Sequence, residues 1–190
     1  MRAFIAIELP DKIKNSLENL QEQLKKAEAD VKWVTPKNIH LTLKFLGEVD
    51  DEKLERISEA IEEAAQENHS YKIRIHSLGA FPKIDYLRVL WVGAEEGEAE
   101  TRKIAKNLEE KIMKIGIPKE DRPFSSHITI GRMRSTLNRE RLVKELENLQ
   151  ETFGKENLEF CASKITLFKS TLTPKGPIYE VLKKVNLKTS

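Results

Sequence analysis

Polar and apolar residues alternate along the chain at two periods, and the change from one to the other marks the elements. Residues 3 to 9 read as a first strand, stopped by Pro10. Asp11 is placed to cap a helix in which Ile13, Leu17, Leu20, Leu24 and Ala27 form one apolar stripe at helical spacing. A short extended piece over 31–34 follows, and Pro36 breaks the chain. A second strand runs from about Ile39 to Leu46 and ends at Gly47. Asp50, Asp51 and Glu52 favour a helix start, and Leu54, Ile57, Ile61 and Ala64 form the next stripe. Tyr71, Ile73 and Ile75 alternate with Lys72, Arg74 and His76 as a strand to Leu78, and residues 79–82 read as a loop.

The order then recurs. Leu87 to Val92 reads as a nearly continuous apolar strand. A helix follows with Ile104, Leu108, Ile112 and Ile115 inward, ended by Gly116 and Pro118. Residues 121–124 lead into another strand. Asn138 is placed to cap a helix carrying Leu142, Leu146 and Leu149, and a strand falls at about 158–162. Two last strands, about 164–171 and 178–187, are joined by the Pro- and Gly-containing segment 173–177, which reads as a hairpin loop. Strand, helix, strand, helix, strand thus occurs twice, over about 1–80 and 85–163, with a C-terminal hairpin at 164–188. Neither half looks independent and no linker separates them. The expectation is one two-lobed α+β domain over 1–190, an internal duplication packed about a pseudo-twofold axis with a central cleft.

The equivalent inner strands carry the same four-residue pattern, His40-Leu41-Thr42-Leu43 and His127-Ile128-Thr129-Ile130. The histidines stand 87 positions apart (127 − 40). Strand periodicity points His and Thr to one face and the aliphatics to the other. A histidine is acid or base near neutrality, with an unperturbed pKa of about 6.5. Two in one cleft can hold opposite protonation states, one taking a proton from water while the other gives one to a leaving oxygen. Threonine hydroxyls can donate to the non-bridging oxygens of a phosphate. A lone His-x-Thr is common, and a half-buried strand histidine accounts for a single copy. Its occurrence at the same place in a repeated unit favours chemistry. Catalytic zinc usually takes three protein ligands, and no helical His-Glu-x-x-His supplies them. His69 reads as a loop residue and His76 as a solvent-facing strand residue. No serine sits at a glycine-flanked elbow.

Other residues are less specific. Lys44 shares the face of His40 and Thr42 by parity and can offer charge to a phosphate, or simply be a surface lysine. Arg132 and Arg134 can bind phosphate or stack on a base; by parity they sit off the His127 face unless the strand kinks near Gly131. Phe81, Phe124 and Tyr179, in or beside loops, can stack on a nucleobase or pack, while Trp33 and Trp91 read as core.

Composition narrows this picture. With 33 basic and 31 acidic residues and a net charge of +2, no bulk polycation is available to grip nucleic acid, so any RNA contact is local. The high Lys and Glu content is compatible with heat adaptation. Cys161 is the only cysteine, which excludes an intrachain disulfide; it reads as a small buried side chain. No apolar run approaches transmembrane length, the start is too short and mixed for a signal peptide, and a cytoplasmic location is expected.

The paired His-x-Thr-x motifs resemble the signature of the 2H phosphoesterase superfamily. Their surroundings are similar to its RNA 2′,3′-cyclic phosphodiesterase branch, also called the 2′-5′ RNA ligase family. The matching stretches are Arg2-Ala3-Phe4-Ile5-Ala6-Ile7, Asn38-Ile39-His40-Leu41-Thr42-Leu43-Lys44-Phe45-Leu46-Gly47 and Arg88-Val89-Leu90-Trp91. Arg122-Pro123-Phe124, His127-Ile128-Thr129-Ile130-Gly131-Arg132, Ser170 and Gly176-Pro177-Ile178-Tyr179 complete them. The resemblance implies antiparallel sheets flanked by helices, with the motifs facing across a cleft. It implies hydrolysis of a 2′,3′-cyclic phosphate at an RNA or nucleotide end to a 2′-phosphate, without metal or nucleotide cofactor; RNA 3′ ends, tRNA fragments among them, are the expected partners and a monomer is expected. His40 is then the acid to the departing O3′ and His127 the base to water, roles that symmetry allows to be exchanged. Thr42 and Thr129 hold the phosphate and Arg132 contacts phosphate or nucleotide; Phe124 and Lys44 are expected as further substrate contacts from their own positions. Two alternatives stand beside this: a module that binds nucleotide or RNA ends in the same cleft without turnover, and a small cyclic-phosphate metabolite as substrate.

Overall fold

The structure, a computed structural model, describes residues 1–189. Its elements in chain order are β1 (Arg2–Glu8), α1 (Asp11–Leu24), β2 (Val31–Trp33), β3 (His40–Glu48), α2 (Leu54–Gln66), β4 (Tyr71–Phe81) and β5 (Val89–Glu96). Then follow α3 (Glu98–Met113), β6 (His127–Met133), α4 (Arg139–Phe153), β7 (Leu158–Ala162), β8 (Lys164–Thr173) and β9 (Gly176–Asn186). The strands form two antiparallel sheets, ordered β3-β1-β8-β9 and β2-β6-β5-β4-β7. The fold is α+β with two repeated halves, as the periodicity implies.

The sheets show how the halves interlock. In the first sheet β1 and β3 of the first half are completed by β8 of the C-terminal hairpin, which the second repeat takes in. In the second sheet β5 and β6 are completed by β4 of the first half. Each half therefore supplies the third strand of the other's sheet. The helices pack by the same logic. Helix α3 lies on β3 while α2 lies on β8 and β9, whereas α4 covers β4 and α1 meets β7. The predicted stripes are the packed faces: Ile13, Leu17, Leu20 and Leu24, then Ile57, Ile61 and Ala64, then Ile104, Leu108 and Ile112, then Leu142 and Leu146, all buried. Apolar burial of this kind, at ~25 cal/mol per Å², is what drives helix onto sheet.

Several boundaries differ from the periodic reading. Asp11 is the first helical residue of α1, whose N-cap is Pro10. Asn138 does stand at the N-cap of α4, but with a left-handed φ of 53°, and its side-chain amide donates to the carbonyl of Glu28 at 2.9 Å instead of capping the helix. Cys161 is exposed, on the outward side of β7. Strand β4 runs on through Gly79, Ala80 and Phe81, because these residues pair with Trp91, Leu90 and Val89 of β5. Thr173 pairs with Gly176, which shortens the hairpin loop to Pro174 and Lys175. Among the described residues, no helix is long and apolar enough to cross a membrane.

Candidate active site

His40 opens β3 immediately after a single 3-10 turn at Pro36–Asn38. Its Nδ1 lies 2.6 Å from the carbonyl oxygen of Asn38. A carbonyl only accepts, so Nδ1 carries the hydrogen and Nε2 is left bare. Asn38 is itself fixed by its amide, which donates to Pro177 O at 3.1 Å. The imidazole stacks on Phe4, with ring centroids 4.7 Å apart and planes 23° from parallel, and Tyr179 meets it edge-on at 5.4 Å. Burial pushes the His40 pKa down to about 4; the Asn38 hydrogen bond opposes this and the nearby Lys14 ammonium adds to it.

His127 opens β6 in the equivalent position. It stacks on Trp91 at 3.7 Å with planes 8° apart, and Phe81 lies 5.1 Å away. Two glycines make room for this arrangement. Gly79 stands opposite Trp91, and a Cβ there would run into the indole. A Cβ on Gly93 would come within 3.1 Å of His127 Cδ2. Burial also lowers the His127 pKa, and the Glu98 carboxylate opposes the shift. Its Nδ1 is buried without a hydrogen-bond partner among the described residues. The platform recurs as the motif does: Phe4 and Trp91 are also 87 positions apart (91 − 4).

Thr42 and Thr129 are half-buried, two residues beyond their histidines, and neither hydroxyl has a hydrogen-bond partner among the described residues. Past them, both strands bulge at the same place. In β3 the register against β1 shifts between the Thr42 and Lys44 pairs, so that Leu43 is the extra residue. In β6 the shift against β5 falls between Thr129 and Gly131, so that Ile130 is extra. A bulge inverts the parity of everything beyond it. This corrects the expectation for Lys44, which turns inward, is 1% exposed, and pairs with Glu109 at 2.7 Å. It brings Arg132 onto the face of His127 and Thr129, as the expected kink near Gly131 requires.

The two halves meet through the strands that carry the motifs. Strand β3 lies against β6, and the Gln21 amide donates to both Val34 O and Ile130 O, at 2.8 and 2.9 Å. Tyr179, beside His40, feels the positive charges of Arg2 and Arg132, which partly offset the rise that burial imposes on its hydroxyl. Arg132 of the second half thus lies within electrostatic reach of Tyr179, which stands edge-on to His40 of the first.

The comparisons with known proteins follow the same division. The family model described as LigT like Phosphoesterase matches the chain twice, over 7–91 and 92–179, one motif in each match. The chain belongs to this family. A protein of Methanocaldococcus jannaschii named RNA 2′,3′-cyclic phosphodiesterase is 41% identical over 96% of this chain and 99% of its own length. One of Archaeoglobus fulgidus with the same name is 36% identical over 96% and 98%. Among solved structures, TT0787 of Thermus thermophilus superimposes with a TM-score of 0.81 at 28% identity, covering 100% and 99% of the two chains. Escherichia coli LigT complexed with 3′-AMP has the same fold, with a TM-score of 0.77 at 24% identity, covering 98% and 97%.

In this LigT-like chain the other candidates have contacts of their own. Phe124, in the loop before β6, packs against the core, with the Arg102 guanidinium 5.8 Å from its ring centre. Arg134 is exposed and its backbone N–H bonds Asp30 O. His69 is exposed and forms an isolated bridge with Lys188, and His76 faces Glu95 at 3.5 Å. The aromatic platform was the element that residue-by-residue reading missed. Trp91 is part of the site and not simply core. An apolar residue in an apolar strand carries no sign of stacking on a histidine; aligning the two halves would have paired Phe4 with Trp91.

Proposed function

We propose that this chain hydrolyses 2′,3′-cyclic phosphate ends of RNA or nucleotides to 2′-phosphates, with His40 and His127 as the acid/base pair. The observation that carries this reading is the repeated site: a half-buried imidazole on an aromatic platform, an unengaged threonine hydroxyl two residues on, and the same bulge beyond. The names of the relatives at 36% and 41% identity support the substrate class.

The phosphodiester anion sits between the motifs, its non-bridging oxygens accepting from Thr42 and Thr129, with Arg132 adding charge. Water attacks phosphorus, His127 takes the water proton, and the P–O3′ bond breaks. His40 delivers its proton from Nε2 to O3′, giving a free 3′-hydroxyl and a 2′-phosphate. In the free cleft burial keeps His40 neutral; the bound anion favours its proton, and the Asn38 carbonyl keeps the imidazolium oriented. Proton transfer and hydrogen bonds account for every step without a metal. With a 5′-hydroxyl in place of water, the same groups would join two ends through a 2′-5′ linkage, a side activity because water is in great excess.

The test is to replace each histidine. His40→Ala and His127→Ala should each lower kcat by about 10²–10⁴-fold on a 2′,3′-cyclic nucleotide, with the circular dichroism spectrum unchanged. Activity within a fewfold of wild type in either variant would refute the pair.

A further inference from the structure

A pocket of about 250 Å³ opens beside His40. Lys14, Lys37 and Asn38 line one side and Tyr179 and Val181 another. Neither threonine of the motifs nor His127 reaches it, so it lies outside the position proposed for the cyclic phosphate. Its positive charge is offset only in part, by Glu8, whose carboxylate feels the charge of Lys14. Neither Lys14 nor Lys37 has a carboxylate partner among the described residues. Lys14 Nζ donates only to the carbonyl of Lys37, at 3.2 Å. The one carboxylate on the wall, Glu8, is already held by Lys184 and by the Thr166 hydroxyl, both at 2.9 Å. The opposite wall is apolar and open, with Val181 47% and Ile178 54% exposed.

Two lysines without an ion-pair partner, lining one pocket with the proposed acid His40 and with aromatic and aliphatic side chains, match the next part of a nucleotide. Building on the function proposed above, we propose that this pocket is a second phosphate subsite, in which Lys14 and Lys37 hold the 5′-phosphate of the terminal nucleotide while its ribose and base lie along Tyr179 and Val181. A nucleotide within an RNA chain carries that phosphate; a bare 2′,3′-cyclic nucleoside monophosphate does not. The subsite therefore lets the protein recognise the end of a strand over a small cyclic metabolite, with two lysines and not a basic surface. A net charge of only +2 is enough for so local a contact.

The experiment compares adenosine 2′,3′-cyclic phosphate with the same compound bearing a 5′-phosphate, in wild type and in Lys37→Gln. Lys37 is exposed, so the variant keeps its fold. Wild type should favour the 5′-phosphorylated compound by tenfold or more in kcat/KM, and Lys37→Gln should bring that ratio towards one. Equal use of both compounds by wild type, or a preference that survives in the variant, overturns the subsite. Calorimetric binding of adenosine 2′,5′-bisphosphate against adenosine 2′-phosphate separates this result from the phosphodiesterase reading. If neither cyclic compound is hydrolysed but the bisphosphate binds tighter in wild type alone, the subsite stands and the reaction falls. If turnover is present and the two ligands bind alike, the reaction stands and the subsite falls.

Discussion

Trp91 lies flat on His127, the ring centroids 3.7 Å apart and the planes within 8° of parallel. The contact fixes the ring plane, and the indole face is negative where an imidazolium would be positive. Trp91→Leu should lower kcat about tenfold with little change in KM, since a stacked aromatic pair is worth ~0.5–1.5 kcal/mol beyond its burial. The pH profile should shift as well, because the indole favours protonated His127. Trp91→Phe should restore most of the rate. A variant that changes only KM would assign Trp91 to substrate binding.

His40 couples the site to acid stability. In the folded chain its pKa is about 4, against about 6.5 when unfolded, so the unfolded state takes up a proton first as pH falls. Its contribution is fully present above pH ~6.5 and is lost towards pH ~4, by up to about 3 kcal/mol. Urea unfolding should show wild type losing more stability over that window than His40→Gln. Phosphate binding at pH 7 should draw a proton into the cleft, measurable by calorimetry in buffers of different ionisation enthalpy.

Lys44 tests the bulge. Its ammonium is enclosed, with Glu109 at 2.7 Å and the carbonyl of Pro118 at 3.4 Å. Lys44→Ala should cost about 3–5 kcal/mol, as expected when one partner of a buried pair is removed. Lys44→Met in a Glu109→Gln background should cost much less, and neither change should alter KM selectively. A rise in KM with unaltered stability would return Lys44 to the phosphate.

The exchange of β4 and β8 between the sheets makes each half incomplete. Residues 1–84 expressed alone should show no cooperative unfolding transition, since β4 would lack β5 and β1 would lack β8. Mixing them with residues 85–190 should restore one. A first half that folds alone would mean that each lobe is a domain.

The elements, the duplication and both His-x-Thr pairs were legible because each rests on local periodicity. Burial of Leu41 and Leu43, with His40 and Thr42 half-exposed, is strand alternation carried straight into the structure. What lay beyond reading depends on a partner strand. The bulges at Leu43 and Ile130 have no signature in their own residues, yet they send Lys44 into the core and Arg132 towards the cleft. The same holds for Phe81, whose place at the end of β4 depends on pairing with Val89. Tyr179 reaches His40 only because β9 closes the first sheet, and no spacing within the hairpin announces that.

The most direct measurement is the product formed from adenosine 2′,3′-cyclic phosphate by protein stripped of metal and held in chelator, with the 2′- and 3′-phosphates resolved by phosphorus NMR. The two-histidine account predicts undiminished turnover and adenosine 2′-phosphate alone. Adenosine 3′-phosphate, or activity lost with the metal, would contradict it.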